Sequence, residues 1–192
     1  MEAYLCLVYD SFRTREITRL NSSRSFENDV KIKDLDRPQF SLTEMAGKIV
    51  LTTGAFDMLH PGHIRLLEEA KKLAGSDGKL VVLIARDETV RENKGRDPIF
   101  DEEARRYMVS MLKPVDEVIL GYTPFSFEKV IEKVKPDIVV FGYDQEKFRK
   151  EFERFCKEKG VNVEIVVAKK YYLGRLHSST EIIEKILKLY NP

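Results

Sequence analysis

The sequence predicts an α/β protein, a doubly wound five-stranded parallel sheet in the order 3-2-1-4-5 with an N-terminal extension. Three observations lead there. From Lys48 onward, short β-branched runs alternate with stretches of helical periodicity, the signature of βαβ units. Two of the runs, Leu80 to Ala85 and Asp137 to Phe141, are apolar almost throughout, as strands buried on both faces are. The first run also ends in a glycine-punctuated loop that enters an amphipathic helix directly. A chain of 192 residues is long enough for one such domain and an appendage.

Taken in order, the strands are Ile49 to Thr53, Leu80 to Ala85, Glu117 to Leu120, Asp137 to Phe141 and Val163 to Val167. Helices are expected at about 62 to 74, 101 to 112, 126 to 134, 145 to 159 and 179 to 189. Ile64, Leu67, Ala70 and Lys71, with Leu73 and Ala74, show the helical spacing in the first. Residues 1 to 47 stand outside the alternation, so the domain proper is read as 48 to 192. Within the extension, Tyr4 to Tyr9 suits an additional edge strand, and Arg37-Pro38 followed by Ser41 to Glu44 suits a turn entering a short helix.

Composition narrows the function classes. Lys and Arg total 33 against 32 for Asp and Glu, a formal charge of +1, which leaves no basic field to draw in nucleic acid. The apolar runs are far shorter than the ~20 residues a membrane helix needs, and no leader pattern opens the chain. A cytoplasmic protein with no membrane partner is expected. Cys6 and Cys156 are the only cysteines and form no zinc-ligand spacing. Charged residues make up 34% of the chain, against a typical ~25%, and Gln occurs only at 39 and 145, a composition that leans toward a thermophile.

In an open parallel sheet, ligands bind beyond the carboxyl ends of the strands. The loop after the first strand reads Thr53-Gly54-Ala55-Phe56-Asp57-Met58-Leu59-His60-Pro61-Gly62-His63. Pro61 suits a first helical turn, and a helix beginning there points free N–H groups and partial positive charge into the loop, which favours a phosphate. His60 and His63, at i and i+3, lie on one side of that turn, where each can donate to a phosphate oxygen, and Gly54 and Gly62 permit close approach. The competing structural account has His60 capping the helix and His63 packing beneath it. Two of the chain's three histidines at the first strand-to-helix junction favour the phosphate reading.

Three further segments fall at the same edge. Ala85 to Ile99 is a cation-rich loop, whose bland reading is a solvated surface. Phe141-Gly142-Tyr143-Asp144-Gln145 follows the fourth strand, with Gly142 ending the strand and Asp144 able to cap the next helix. His177-Ser178-Ser179-Thr180-Glu181 opens the last helix, and Ser178 with Glu181 has capping-box spacing.

On Gly54-Ala55-Phe56-Asp57-Met58-Leu59-His60-Pro61-Gly62-His63, the chain resembles the HxGH nucleotidyltransferase superfamily, in its cytidylyltransferase-like branch with the motif GxFDxxHxGH. The resemblance covers roughly residues 49 to 185 and implies a Rossmann-like domain that joins the α-phosphate of a nucleoside triphosphate to an acceptor phosphate, releasing pyrophosphate. It assigns His60 and His63 to the α-phosphate, with Lys94 facing the phosphates opposite them. It places Thr53, Gly54, Ala55, Phe56 and Gly62 around the nucleotide, and Asp57, Asp87 and Arg105 in acceptor or supporting roles. Many members carry Thr where this chain has Ala55, which removes one hydroxyl contact. By the same resemblance Gly142, Tyr143 and Asp144 read base and ribose, and Ser178, Ser179 and Thr180 hold the β- and γ-phosphates. The usual RTxGISTT form of that last motif is altered here to Leu173-Gly174-Arg175-Leu176-His177-Ser178-Ser179-Thr180, with Arg175 displaced by two positions.

A divalent cation, Mg²⁺, is implied together with the triphosphate, and no direct protein ligand for it is singled out. The segments Ala85 to Val90, Lys94-Gly95-Arg96, Pro98-Ile99 and Gly142 to Gln145 look most like archaeal FAD synthases, which transfer AMP from ATP to FMN. The absence of a cysteine pair near the C-terminus and the N-terminal extension depart from that group. A cytidylyltransferase using CTP and glycerol 3-phosphate or a related phosphoalcohol, and an enzyme transferring AMP to a sugar phosphate, are the enzymatic alternatives. A nucleotide-binding regulator without turnover is the alternative of another class. Related proteins are often dimers, so a homodimer is a further expectation.

Overall fold

The structure is a computed structural model, which describes residues 47–170 and 178–190. The readings of the extension, including the strand at Tyr4 to Tyr9 and the turn after Pro38, lie outside the described residues, as do Cys6, Arg175 and His177. Five strands form one parallel sheet: β1 (Ile49–Gly54), β2 (Lys79–Ile84), β3 (Glu117–Leu120), β4 (Ile138–Phe141) and β5 (Glu164–Val167), ordered β3-β2-β1-β4-β5. Six described helices accompany them: α1 (Pro61–Ala74), α2 (Asp87–Lys94), α3 (Glu102–Ser110), α4 (Phe127–Val134), α5 (Glu146–Lys159) and α6 (Ser179–Tyr190). The sheet order is the one the sequence predicts.

Strand alternation divides the core in two. Val50 lies in register with Leu80 and Ile138, and Leu51 with Val81 and Val139, so successive residues of β1 feed opposite faces. Val50, Leu80, Val82, Ile84, Ile138 and Val140 pack with Leu67 and Ala70 of α1 and Val109 of α3. On the other face Leu51, Val81, Leu83 and Val139 meet Val130 and Val134 of α4 and Phe152 of α5. Each fully buried side chain of this kind stabilises the fold by about 1.5–3 kcal/mol. Phe127 anchors an aromatic group on that face, its ring centroid 5.1 Å from Phe148 and 5.3 Å from Phe152. Thr52 is the buried polar exception on β1, and its hydroxyl donates to the Val140 carbonyl at 2.9 Å.

The structure corrects the reading of residues 85 to 99 as a loop, because eight of them form α2. The helix carries Asp87 and Glu88 in its first turn, Arg91 and Lys94 in its last, and Gly95 in the left-handed conformation at its end, so charge and dipole agree throughout. Only Val90 of α2 is buried, too little apolar periodicity to signal a helix. Among the described helices, none is long and apolar enough to cross a membrane.

At α4, Ser126 is the N-cap and its side chain accepts a hydrogen bond from the Lys129 N–H. Because α4 packs far along the chain from the histidine turn, Ser126→Ala should lower stability by about 1 kcal/mol without altering catalysis. Urea unfolding alongside steady-state rates checks this; a matching fall in turnover would count against it.

Candidate active site

The β1–α1 loop is held in an unusual shape. Phe56 and Met58 both adopt left-handed backbone angles, φ 51° and 57°, conformations that persist only where surroundings fix them. Gly54 makes room, since a side chain there would begin 3.0 Å from the Phe56 ring. Phe56 is itself buried and its ring centroid lies 5.0 Å from that of His63.

Past this loop α1 begins at Pro61, with Gly62 and His63 in its first turn. His60 occupies the N-cap position but makes no side-chain capping bond, so the capping account of His60 fails. The His63 N–H donates to the His60 carbonyl at 2.9 Å. The two imidazoles stack with centroids 3.7 Å apart and an angle of 26° between planes. Every other described helix has an acidic residue in its first turn, whereas α1 has none. The positive end of α1 is thus left without internal neutralisation, which suits an anion brought from outside.

Electrostatics at the turn agree. Burial first, then the fields of His60 and Lys94, push the His63 pKa from 6.5 down to about 3. His63 is therefore neutral at working pH, and its Nδ1 is buried with no hydrogen-bond partner among the described residues. Lys94, at the end of α2, is in turn held below the ordinary lysine value, by desolvation first and by Arg96 next, while Asp57 and Asp144 oppose the shift. His63, Lys94, Asp57 and Asp144 thus share one electrostatic field.

Asp57 and Arg105 organise what surrounds the turn. The fully buried Asp57 carboxylate accepts from the Ile99 N–H at 2.9 Å and the Phe100 N–H at 3.2 Å, and faces Arg96 at 3.3 Å. Arg105 is fully buried too, and its guanidinium donates to the carbonyls of Ala55, Ala85 and Phe100 and to the Asp87 carboxylate. Both residues hold loops, and Asp87 is thereby committed to Arg105.

On the other flank, the Gln145 side chain donates to the Thr53 carbonyl at 2.9 Å and accepts from the Gly142 N–H at 2.7 Å, tying the ends of β1 and β4 together. The expected cap at Asp144 is corrected: Gln145 is the N-cap of α5, without a side-chain capping bond, and Asp144 is left exposed. A side chain at Gly142 would start 2.8 Å from the Asp144 carboxylate. Tyr143 is exposed, with the Lys170 ammonium 5.3 Å from its ring centroid.

The N-terminus of α6 docks on the same loop. The buried Ser179 hydroxyl donates to the Asp57 carbonyl, and Ser178 and Glu181 form the reciprocal capping box at 3.2 Å in each direction. Thr180 is exposed beside them. The structure thus gathers Thr53 to His63, Lys94, Gly142 to Asp144 and Ser178 to Thr180 around the carboxyl edge of β1 and β4.

Arg96 and Gln145 entered the sequence reading only within the segments that resemble FAD synthases, without a role of their own, and Glu102 did not enter it. Glu102 accepts from Arg86 and from the Asp87 N–H, so it caps α2 from the following helix, a partnership across 15 residues that leaves no local signal.

Comparison with known proteins settles the family. Residues 51–185 match the family model described as cytidylyltransferase-like. The chain belongs to the cytidylyltransferase-like family. Among cytidylyltransferase-like relatives, it is 50% identical to an FAD synthase from Methanopyrus kandleri over 144 residues, covering 75% of this chain and 95% of that protein. An FAD synthase from Korarchaeum cryptofilum is 43% identical with the same two coverages. A solved structure titled as a lipopolysaccharide core biosynthesis protein, from Thermoplasma volcanium, superposes with a TM-score of 0.60 at 44% identity, covering 66% of this chain and 99% of that one.

Proposed function

We propose that this nucleotidyltransferase is an FAD synthase, which transfers AMP from ATP to the phosphate of FMN and releases pyrophosphate. The observation that carries the chemistry is the acid-free, side-chain-uncapped N-terminus of α1, bearing two stacked imidazoles with Lys94 in their field. The choice of ATP and FMN rests on FAD synthases 43–50% identical over most of their length. In this reading residues 48 to 192 carry the activity.

An FMN phosphate oxygen attacks the α-phosphorus of ATP in line, the bond to the bridging oxygen breaks, and pyrophosphate leaves with that electron pair. No enzyme nucleophile is required. His60 and His63 donate to α-phosphate oxygens, and the neutral His63 grows more basic beside the accumulating charge, so its interaction strengthens toward the transition state. Lys94 opposes them across the phosphates. Ser178, Ser179 and Thr180 at the α6 N-terminus hold the β- and γ-phosphates, while Gly142, Tyr143 and Asp144 bound the base and ribose. Thr53, Gly54, Ala55, Phe56 and Gly62 shape the floor, with Asp57, Asp87 and Arg105 keeping it in place. The donors facing this cleft are imidazoles, a lysine and helix N–H groups, and the Asp57 carboxylate is already committed, a set that fits Mg²⁺ carried by the nucleotide and charge-neutralising there.

The cytidylyltransferase reading stays as the rival because of the family itself. Pyrophosphate release measured for ATP and CTP, each against FMN and glycerol 3-phosphate, decides between them. ATP with FMN is expected to be fastest; preference for CTP with glycerol 3-phosphate would reject the FAD synthase reading, and silence in all four pairs would favour a regulator.

A further inference from the structure

Two arginines beside the site behave in opposite ways. Arg105 uses each of its three nitrogens, donating to Phe100, Ala55, Ala85 and Asp87. Arg96 donates from Nη1 alone, to Asp57 at 3.3 Å and to the Asp97 carbonyl at 2.8 Å. Its Nη2 is buried without a hydrogen-bond partner among the described residues. A structural arginine is normally saturated, since an orphaned buried donor costs the desolvation of that group.

Asp57 has anchors besides Arg96. Its Oδ1 already takes the Ile99 and Phe100 N–H groups, so the loop stays anchored if the guanidinium leaves. The Asp57–Arg96 contact is single and long where an arginine–carboxylate pair of full strength is bidentate and shorter. The Arg96 side chain is also about one-third exposed, 32%, so it is not locked in place by packing. Two residues before it stands Lys94, whose pKa is lowered by desolvation first and by the Arg96 charge next.

We propose that Arg96 is a phosphate ligand parked on Asp57, which swings to the phosphate monoester of the acceptor when that substrate enters. The acceptor is the substrate it serves because Arg96 follows α2, on the β2 side of β1, whereas the Gly142 loop, read above as bounding base and ribose, follows β4 on the other side. Leaving Asp57 lets Nη2 and Nε form the two-pronged contact that arginine makes with phosphate. The proposal rests on the transferase reading above and adds a specificity residue to it.

The test uses the full chain with Arg96→Gln and Arg96→Lys. With ATP and Mg²⁺ saturating, Arg96→Gln should raise the acceptor KM roughly 10–100-fold and leave the nucleotide KM within about twofold. Arg96→Lys should fall between, keeping the charge without the fork. Equilibrium titrations with FMN against riboflavin, and with glycerol 3-phosphate against glycerol, read the same contact without turnover. Wild type should prefer the phosphorylated member of one pair, and Arg96→Gln should lose that preference. If ATP with FMN gives no pyrophosphate, the FAD synthase reading falls, and the titrations still decide for Arg96. An Arg96→Gln chain with wild-type preference, a wild-type chain with none in either pair, or a rise confined to the nucleotide KM overturns the proposal.

Discussion

His63→Ala is expected to cut turnover roughly 10²–10³-fold while the folded state survives. The size follows from what the side chain does at the α1 turn. It is a preorganised donor beside a helix end that has no acidic residue in its first turn, and its partners His60, Phe56 and Lys94 remain when it is removed. The loss should appear in kcat more than in the nucleotide KM, since the interaction strengthens as charge gathers on the α-phosphate. A folded His63→Ala chain that releases pyrophosphate at a near-normal rate would remove His63 from the chemistry.

The same residue sets a pH dependence of stability. In the folded protein the His63 pKa is about 3, against 6.5 for an ordinary imidazole. Between those two values the unfolded chain binds the proton that the folded chain refuses, so stability rises with pH across that window. Above about 6.5 His63 imposes no cost, and below it the cost grows as pH falls toward 3. Urea unfolding at pH 7.5 and at pH 5 should therefore show a smaller acid loss for His63→Ala than for wild type. Equal losses in the two proteins would mean that His63 titrates normally in the fold.

Much of this site was legible before any coordinates because its parts are local in sequence. Gly54 to His63 is one unbroken segment, and the capping box of Ser178 and Glu181 spans three residues. Strand positions followed from apolar runs whose two buried faces the register now displays. What escaped is non-local. Glu102 reaches back to the α2 N-terminus, and Gln145 reaches the Thr53 carbonyl across 92 residues. Neither partnership leaves a trace in spacing. The α2 helix was missed for a different reason, since its charges and Gly95 signalled it while its single buried residue did not. Asp144 had the chemistry of a cap and sits one residue too early, because Gln145 is drawn into tying β4 to β1.

Arg105→Met should destabilise the protein by about 3–5 kcal/mol, the range for breaking a buried ion pair from one side. The guanidinium is wholly buried, and its loss strands the carbonyls of Ala55, Ala85 and Phe100 together with the Asp87 carboxylate. Those four groups belong to the β1–α1 loop, the end of β2, the segment before α3 and the start of α2, so one side chain closes the floor beneath His63 and Lys94. Arg105→Lys should recover only part of the loss, because one ammonium cannot span acceptors arranged for a planar fork. The double variant Asp87→Asn with Arg105→Met separates the causes. If the stranded carboxylate dominates, it should be more stable than Arg105→Met alone, with a coupling of about 0.5–3 kcal/mol. No recovery would assign the cost to the three carbonyls instead, and an Arg105→Met chain as stable as wild type would show that the loop holds its shape without this arginine.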